Sequence, residues 1–341
     1  MGEFAARGDR TVIFVLEGTL VKQAIFRGGS IIEVVNGPEP VVGPGEVLIE
    51  VERCALCGSD LSIYKSGHPR IPGHEIVGFV RQEGHRLNGK RVGVYIPVWC
   101  GHCEECTRGN THCCETQRIL VGWSTNGGYA ERLSVPEQCL LPISEQVPAD
   151  LAPLLLDAIG TTSHGIRLAK KVTTLDRCLI IGAGPIGLGS ILVLQAMGGR
   201  DIHCAEINAF RLQKAIEFGA APLTADEARR FDLVIEASGS EPGRQKALEL
   251  TRPGGACVFL GESSAQWKIV ENRELQLKDF FLIRSFYFPI ADFAENEQML
   301  LQHAVSFRRL VDAEATIDDL PNLFAAFARR EHLKPMMISP R

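Results

Sequence analysis

The sequence predicts an α/β protein in which a doubly wound parallel-sheet domain is joined to a second, β-rich domain. Three observations carry that expectation. Strand-like and helix-like segments alternate between Arg177 and Gly261, the pattern of parallel strands linked by helical crossovers. Within that stretch a glycine triplet, Gly182, Gly184 and Gly187, sits where a strand gives way to a helix. Ahead of it, Thr11 to Pro142 holds short β-like runs punctuated by glycine and proline. A chain of 341 residues is too long for one simple core and divides into two domains of ordinary size.

In chain order, GEVLIEVERC, EIVGFVRQ, RVGVYIP and AERLSV read as strands, with GPEPVVGPGE as a turn-rich connection. Near Pro148 the texture changes, and ADLAPLLLDAIGTTSHGIRLAKK carries helical apolar spacing. RCLIIGAG then reads as strand, PIGLGSILVLQAMGG as helix, DIHCAEI as strand and NAFRLQKAIEFGA as helix. FDLVIEASG reads as strand, EPGRQKALELTR as helix and GGACVFLG as strand. A helical stretch follows Pro289, and the tail EHLKPMMISP is expected to return to the first domain.

Bulk properties exclude several functions. A net charge of -5 offers no basic footprint for nucleic acid. No apolar run approaches the roughly 20 residues that cross a bilayer, and TVIFVL near the start is short, meets Glu17 and lacks a cleavage-like site. A cytoplasmic protein is the expectation. Of the eleven cysteines, five crowd into WCGHCEECTRGNTHCCE and the rest are scattered, which fits bound metal in a reduced compartment better than a disulfide framework.

The glycine turn GAGPIG, residues Gly182, Ala183, Gly184, Pro185, Ile186 and Gly187, follows an apolar run and opens an apolar helix. The first glycine permits a tight turn, the second lets a pyrophosphate approach the backbone, and the third lets helix and strand pack closely. The helix N-terminus then offers N–H groups and a positive dipole end to phosphates. Glu206 stands at the end of the next strand, where a carboxylate accepts hydrogen bonds from ribose hydroxyls and repels a 2′-phosphate. NAD is therefore the expected cofactor. Arg211, five residues further on, is a candidate contact at the adenosine end.

Cys57 in CGSDL, His74 in GHE and Asp157 in LLLDAIG bring a thiolate, an imidazole and a carboxylate from separate segments, a set sufficient for a catalytic zinc with an open position. Each alone has a plain reading: a cysteine in the core, a satisfied histidine, an aspartate capping a helix. Together with GPGEVLIEVERCALCGSDL, PGHEIVGFV, NGGYAERLSVP, GAGPIG and FDLVIEASGS, they make the chain resemble the zinc-dependent medium-chain dehydrogenase/reductase family, the alcohol and polyol dehydrogenases.

That resemblance implies a GroES-like catalytic domain over 1–157, a Rossmann NAD-binding domain over 158–292, and a return to the catalytic domain over 293–341. It implies two zinc ions per chain. Cys57 and His74 would bind the catalytic one, Glu75 would coordinate it or lie just behind it, and Asp157 stands where many relatives carry cysteine. Replacing thiolate by carboxylate keeps two negative charges on the ligands, and zinc accepts either donor. Asp157 can also serve as a cap or as a hydrogen-bond acceptor behind the ligands. Ser59 would bond the substrate oxygen and begin the proton relay, whereas Ser62 replaces the histidine that carries the proton outward in many relatives. His164 reads as a packed residue near the domain junction rather than a cofactor contact, and Cys54 as a core thiol rather than half of a redox pair.

Cys100, Cys103 and Cys106 follow CxxCxxC spacing, and the family's fourth ligand comes eight residues later, which selects Cys114 and leaves Cys113 spare. Four thiolates close a tetrahedral site, so this zinc is structural. The implied activity is NAD(H)-linked interconversion of an alcohol and its ketone or aldehyde, with zinc polarising the alcohol. CGSDL and PGHE lean the substrate class toward polyols, sugars, cyclitols or secondary alcohols. The alternatives are a zinc reductase acting mainly on aldehydes and an inactive NAD-binding or structural member of the fold. The expected partner is a small alcohol or carbonyl compound, with neither nucleic acid nor membrane, and family habit implies a homodimer or homotetramer.

Overall fold

A computed structural model describes residues 19–224, 230–263 and 266–339; TVIFVL, Thr11 to Leu16, lies outside the described residues. The first part of the chain forms β1 (Leu20–Gly28), β2 (Ile31–Pro38), β3 (Glu46–Ala55), α1 (Asp60–Ser66), β4 (Glu75–Val80), β5 (Arg91–Val94) and β6 (Pro97–Val98). It continues through α2 (Glu104–Thr107), β7 (Ile119–Leu120), β8 (Arg132–Pro136) and β9 (Leu140–Pro142). Next come α3 (Gly160–Lys170), β10 (Arg177–Ile181), α4 (Pro185–Ala196), β11 (Asp201–Ala205), α5 (Ala209–Glu217), β12 (Ala221–Pro222) and β13 (Phe231–Glu236). The chain ends with α6 (Glu241–Leu250), β14 (Thr251–Phe259), α7 (Arg273–Gln276), β15 (Phe281–Arg284), α8 (Phe293–Gln302), α9 (Ala304–Arg308), β16 (Glu314–Thr316), α10 (Leu320–Ala328) and β17 (Met336–Ile338).

The α/β fold class is borne out. Strands β10 to β15 form a six-stranded parallel sheet in the order β12-β11-β10-β13-β14-β15. In sequence terms this is 3-2-1-4-5-6, the doubly wound dinucleotide order, with the crossover point at the first strand. Side-chain alternation along β10 explains why both sheet faces are covered: Cys178 and Ile180 join the large core, while Leu179 and Ile181 join a smaller one with Phe231, Val234 and Phe259. A seven-stranded sheet, β16-β17-β3-β4-β5-β9 with β8 also on β3, holds most of the N-terminal strands. The tail enters it through β17, which pairs antiparallel with β3.

The helical spacing over 149–171 resolves into a 3-10 turn at Ala152–Leu155 and then α3. Asp157 falls in the break between them, where its carbonyl accepts the Thr161 N–H at 2.9 Å. Among the described residues no helix is long and apolar enough to cross a membrane.

The glycine turn is tight for a measurable reason. Gly182 has φ +94°, and a methyl group at Gly187 would lie 1.8 Å from the Gly182 carbonyl oxygen. Gly187→Ala therefore forces backbone apart, at a cost of about 1–3 kcal/mol by analogy with other overpacking changes. Calorimetry is expected to show Tm lowered by several degrees, and an unchanged Tm would mean that the strand–helix contact is looser than described.

Candidate active site

Sheet register assembles the site. Ala55, the last residue of β3, pairs with Glu75 on one side and Met336 on the other. Cys57 lies two residues beyond Ala55, His74 one residue before Glu75, and Lys334 two residues before Met336, so all converge on one end of the sheet. The Leu56 N–H donates to the Pro335 carbonyl at 2.9 Å and fixes the Cys57 turn against the returning chain. Asp157 arrives from the break before α3, with its Oδ2 3.3 Å from Cys57 Sγ. Cys57, His74, Glu75 and Asp157 are all buried, and each offers a ligand atom within 4.8 Å of the others.

Asp60 stands behind this group. Its Oδ1 lies 3.3 Å from His74 Nδ1, and its Oδ2 accepts from the Tyr129 hydroxyl at 2.6 Å and the Cys57 N–H at 3.0 Å. This carboxylate orients the imidazole and leaves Nε2 for the cluster, as carboxylates behind metal-binding histidines do. Burial opposes a charged His74, but Asp60 and Cys57 outweigh it and hold the ring well above the usual imidazole range. Burial and the neighbouring Asp157 raise Cys57, against the pull of His74 and Lys334. Asp157 is held below its ordinary value because Lys334 and His74 outweigh burial.

Lys334 is fully buried; its Nζ donates to Glu75 Oε1 and lies 3.8 Å from Asp157 Oδ2. Burial pushes Glu75 up to about 8 with the ammonium opposing it, whereas for Lys334 the surrounding Glu75, Cys57 and Asp157 outweigh burial and hold it above its ordinary value. The close contact of Nζ with a carboxylate oxygen supports the ionic form of the pair. Glu75 Oε2 remains buried without a hydrogen-bond partner. A thiol, an imidazole and carboxylates around one point, with an orphaned oxygen among them, fit a divalent cation such as zinc.

Sequence reasoning missed Lys334, although a lysine between Leu333 and the apolar Pro335, Met336 and Met337 is a detectable signal. It also left Asp60, inside CGSDL, without a role. Trp123 was missed too; its ring lies 5.7 Å from that of His74 and forms an apolar wall beside it. Ser59 sits at the N-cap of α1, and the exposed Ser62 donates to the Ser59 carbonyl at 2.8 Å. Cys54 is buried, and a side chain at Gly73 would touch its sulfur. His164 is buried in α3, with Nδ1 3.4 Å from Asp292 Oδ2 and its ring 4.9 Å from that of His112.

At the other sheet, Gly184 caps α4 with no side-chain hydrogen bond, and Pro185 and Ile186 begin the helix, so its first N–H groups face the turn. A Cβ on Gly184 would meet only the Arg211 guanidinium, at 3.8 Å. Glu206 accepts from the Ala183 N–H at 2.6 Å and the Asn208 N–H at 2.8 Å. An ionised carboxylate has about four acceptor positions, so capacity remains for hydroxyl donors. Burial lowers Arg211 while Glu206 opposes that shift. The turn, the open helix end and the flanking acid and base fit a dinucleotide.

Apart from both, Cys100, Cys103, Cys106 and Cys114 present sulfurs within 4.8 Å of one another, whereas Cys113 is exposed and outside the group. Hydrogen bonds from Thr116 and the His102 N–H hold Cys100 down at about 5, as suits a thiolate ligand. Cys100 Sγ accepts the Cys103 N–H at 3.2 Å.

Residues 43–145 match the alcohol dehydrogenase GroES-like domain, and residues 185–302 match the zinc-binding dehydrogenase domain. The L-threonine 3-dehydrogenase of Stenotrophomonas maltophilia is 33% identical over 266 residues, covering 71% of this chain and 76% of that protein. Among solved structures, alcohol dehydrogenase TADH from Thermus sp. ATN1 is 26% identical with a TM-score of 0.84, covering 94% of this chain and all of that one (100%). Acetophenone reductase from Geotrichum candidum, in complex with NAD, is 25% identical with a TM-score of 0.80, covering 94% of this chain and 97% of that one.

Metal analysis tests the four-cysteine group. Cys114→Ser is expected to lose one zinc equivalent and to unfold at lower temperature, while Cys113→Ser keeps both equivalents; the reverse result would show that the ligand register is shifted by one residue.

Proposed function

Because the chain belongs to the zinc-dependent medium-chain dehydrogenase/reductase family, we propose that it oxidises a polyol, sugar, cyclitol or other secondary alcohol with NAD and reduces the corresponding carbonyl compound in reverse. The observation that carries this reading is the convergence of Cys57, His74 and Asp157 at one buried point, in a chain that also builds a dinucleotide-type glycine turn. L-Threonine, which the Stenotrophomonas relative is named for, is itself a secondary alcohol and belongs in the same class. Glu206 favours NAD over a 2′-phosphorylated cofactor. Eleven unpaired cysteines support a reducing, cytoplasmic setting. The exposed Phe281 and Leu282 on the edge strand β15 support a homodimer or homotetramer.

When bound, zinc supplies a Lewis acid for the substrate oxygen and nicotinamide supplies the hydride acceptor. Cys57, His74 and Asp157 would hold the metal, and Asp60 keeps the imidazole in one orientation. Trp123 would form one wall of the site beside His74. Ser59, directly after the Cys57–Gly58 turn, would relay the proton, accepting that of the substrate hydroxyl while passing its own on to a cofactor ribose hydroxyl or water. Ser62 is spent on the Ser59 carbonyl, so its hydroxyl stiffens the start of α1 rather than extending the relay.

The test is NADH absorbance with the zinc-loaded chain against polyols, secondary alcohols including L-threonine, and simple primary alcohols. Turnover confined to ethanol-like substrates would overturn the substrate class, and tight NAD binding without turnover on any of them would support the inactive alternative. Ser59→Ala is expected to lower kcat by about 100-fold, within the range for a lost proton-transfer group, with zinc content unchanged. Undiminished turnover in that variant removes Ser59 from the relay.

A further inference from the structure

Helix α10 ends in a turn that glycine usually makes. The Glu331 N–H donates to the Ala326 carbonyl at 3.1 Å and the Arg330 N–H to the Phe327 carbonyl at 2.9 Å, the paired bonds of a helix closed by one left-handed residue. That residue is Arg330, with φ +65°. An L side chain is disfavoured in this conformation, whereas glycine takes it freely. The Arg330 side chain is exposed and, among the described residues, makes no hydrogen bond or ion pair that would offset the strain. The neighbouring acid, Glu331, is taken by Arg329 at 2.7 Å. The charge of Arg330 is felt instead by another cation. Burial holds Arg211 below the ordinary guanidinium range, with Glu206 opposing that shift and Arg330 adding to it. Arg211 in turn lies against the glycine turn: a Cβ on Gly184 would stand 3.8 Å from its Nη1, and its Nε is buried without a hydrogen-bond partner.

Two guanidiniums thus meet at the start of α4, one from α5 beside the parallel sheet and one from α10, which packs on β16 and β2. One carboxylate, Glu206, acts on the pair, so positive charge is in surplus there. Backbone strain and repulsion between like charges are both costs, and a residue kept at such a position is explained by what it binds. We propose that Arg330 is a cofactor-binding residue, which with Arg211 grips the pyrophosphate of the dinucleotide at the glycine turn. The inference rests on the dinucleotide reading above. A pyrophosphate carries two negative charges and only accepts hydrogen bonds, which suits a pair of planar guanidinium donors and the free N–H groups of a helix N-terminus. Because Arg330 reaches the turn from the side of the seven-stranded sheet, cofactor binding would also tie the end of α10 to α4 and α5.

The experiment titrates the zinc-loaded full chain with NADH and with NADPH, read by the fluorescence of the bound cofactor, so that no turnover is needed. Arg330→Gly and Arg330→Asn, two residues that tolerate a left-handed backbone, are each expected to raise the Kd for NADH about tenfold, the low end for one lost hydrogen bond to a charged group. Both are expected to flatten the salt dependence of that Kd. Arg330→Gly is expected to leave the cofactor-free chain at least as heat-stable as the parent, whereas loss of a merely structural side chain would lower Tm. An NADH affinity unchanged in either variant would overturn the inference. So would a loss confined to NADPH, which would place Arg330 at the 2′ position instead. A parent chain that binds neither NADH nor NADPH would overturn the dinucleotide reading itself, and this inference with it.

Discussion

The burial of negative charge at one end of the seven-stranded sheet is the constraint on which the site depends. Asp60, Glu75 and Asp157 are carboxylates with little or no solvent contact, and the Cys57 thiol lies among them. Isolated ions of this kind cost several kcal/mol each to remove from water. The chain meets that cost in two ways. Backbone and hydroxyl donors, the Cys57 N–H and the Tyr129 O–H, satisfy Asp60 Oδ2, while Oδ1 faces His74, and Lys334 answers Glu75. Cys57 and Asp157 are left facing one another across 3.3 Å. A divalent cation resolves that unbalanced pair, which ties metal affinity to the folded register of β3, β4 and β17.

The two metal-type groups use opposite designs. The four cysteines come from a short loop, are half-exposed in part, and draw hydrogen bonds from nearby backbone N–H groups. Their geometry needs little from the rest of the molecule. The other group draws on residues from three distant parts of the chain and on the β17–β3–β4 register. The first can organise locally once metal is present, whereas the second exists only when the whole fold does.

The same distinction explains what could be read in advance. The alternation from Arg177 to Gly261 specified the parallel sheet because strand and helix periods are local properties. GAGPIG and the CxxCxxC run of Cys100, Cys103 and Cys106 were legible for the same reason, whereas the choice of Cys114 over Cys113 came from the family resemblance. Cys57, His74 and Asp157 were legible only in company. Asp60 was in view, but that its carboxylate turns back onto His74 follows from β3–β4 pairing, which no local spacing encodes. Lys334 was harder still, since only its company of apolar neighbours marked it. The break at Asp157 went unread because Leu154, Leu155 and Leu156 keep an apolar pattern through it; tertiary contact with Cys57 outweighs the local helical preference there.

The sheet register also sets a timetable for biogenesis. Ribosomes add about 5–20 residues per second, so the 259 residues between Glu75 and Lys334 take roughly 13–50 seconds to make. During that interval β3 and β4 are available to pair, but their acidic end has no internal cation. A nascent chain can therefore hold a complete cysteine loop while its other metal-type cluster is still unfinished. The charge partner of Glu75 in that cluster is thus among its last residues to be made.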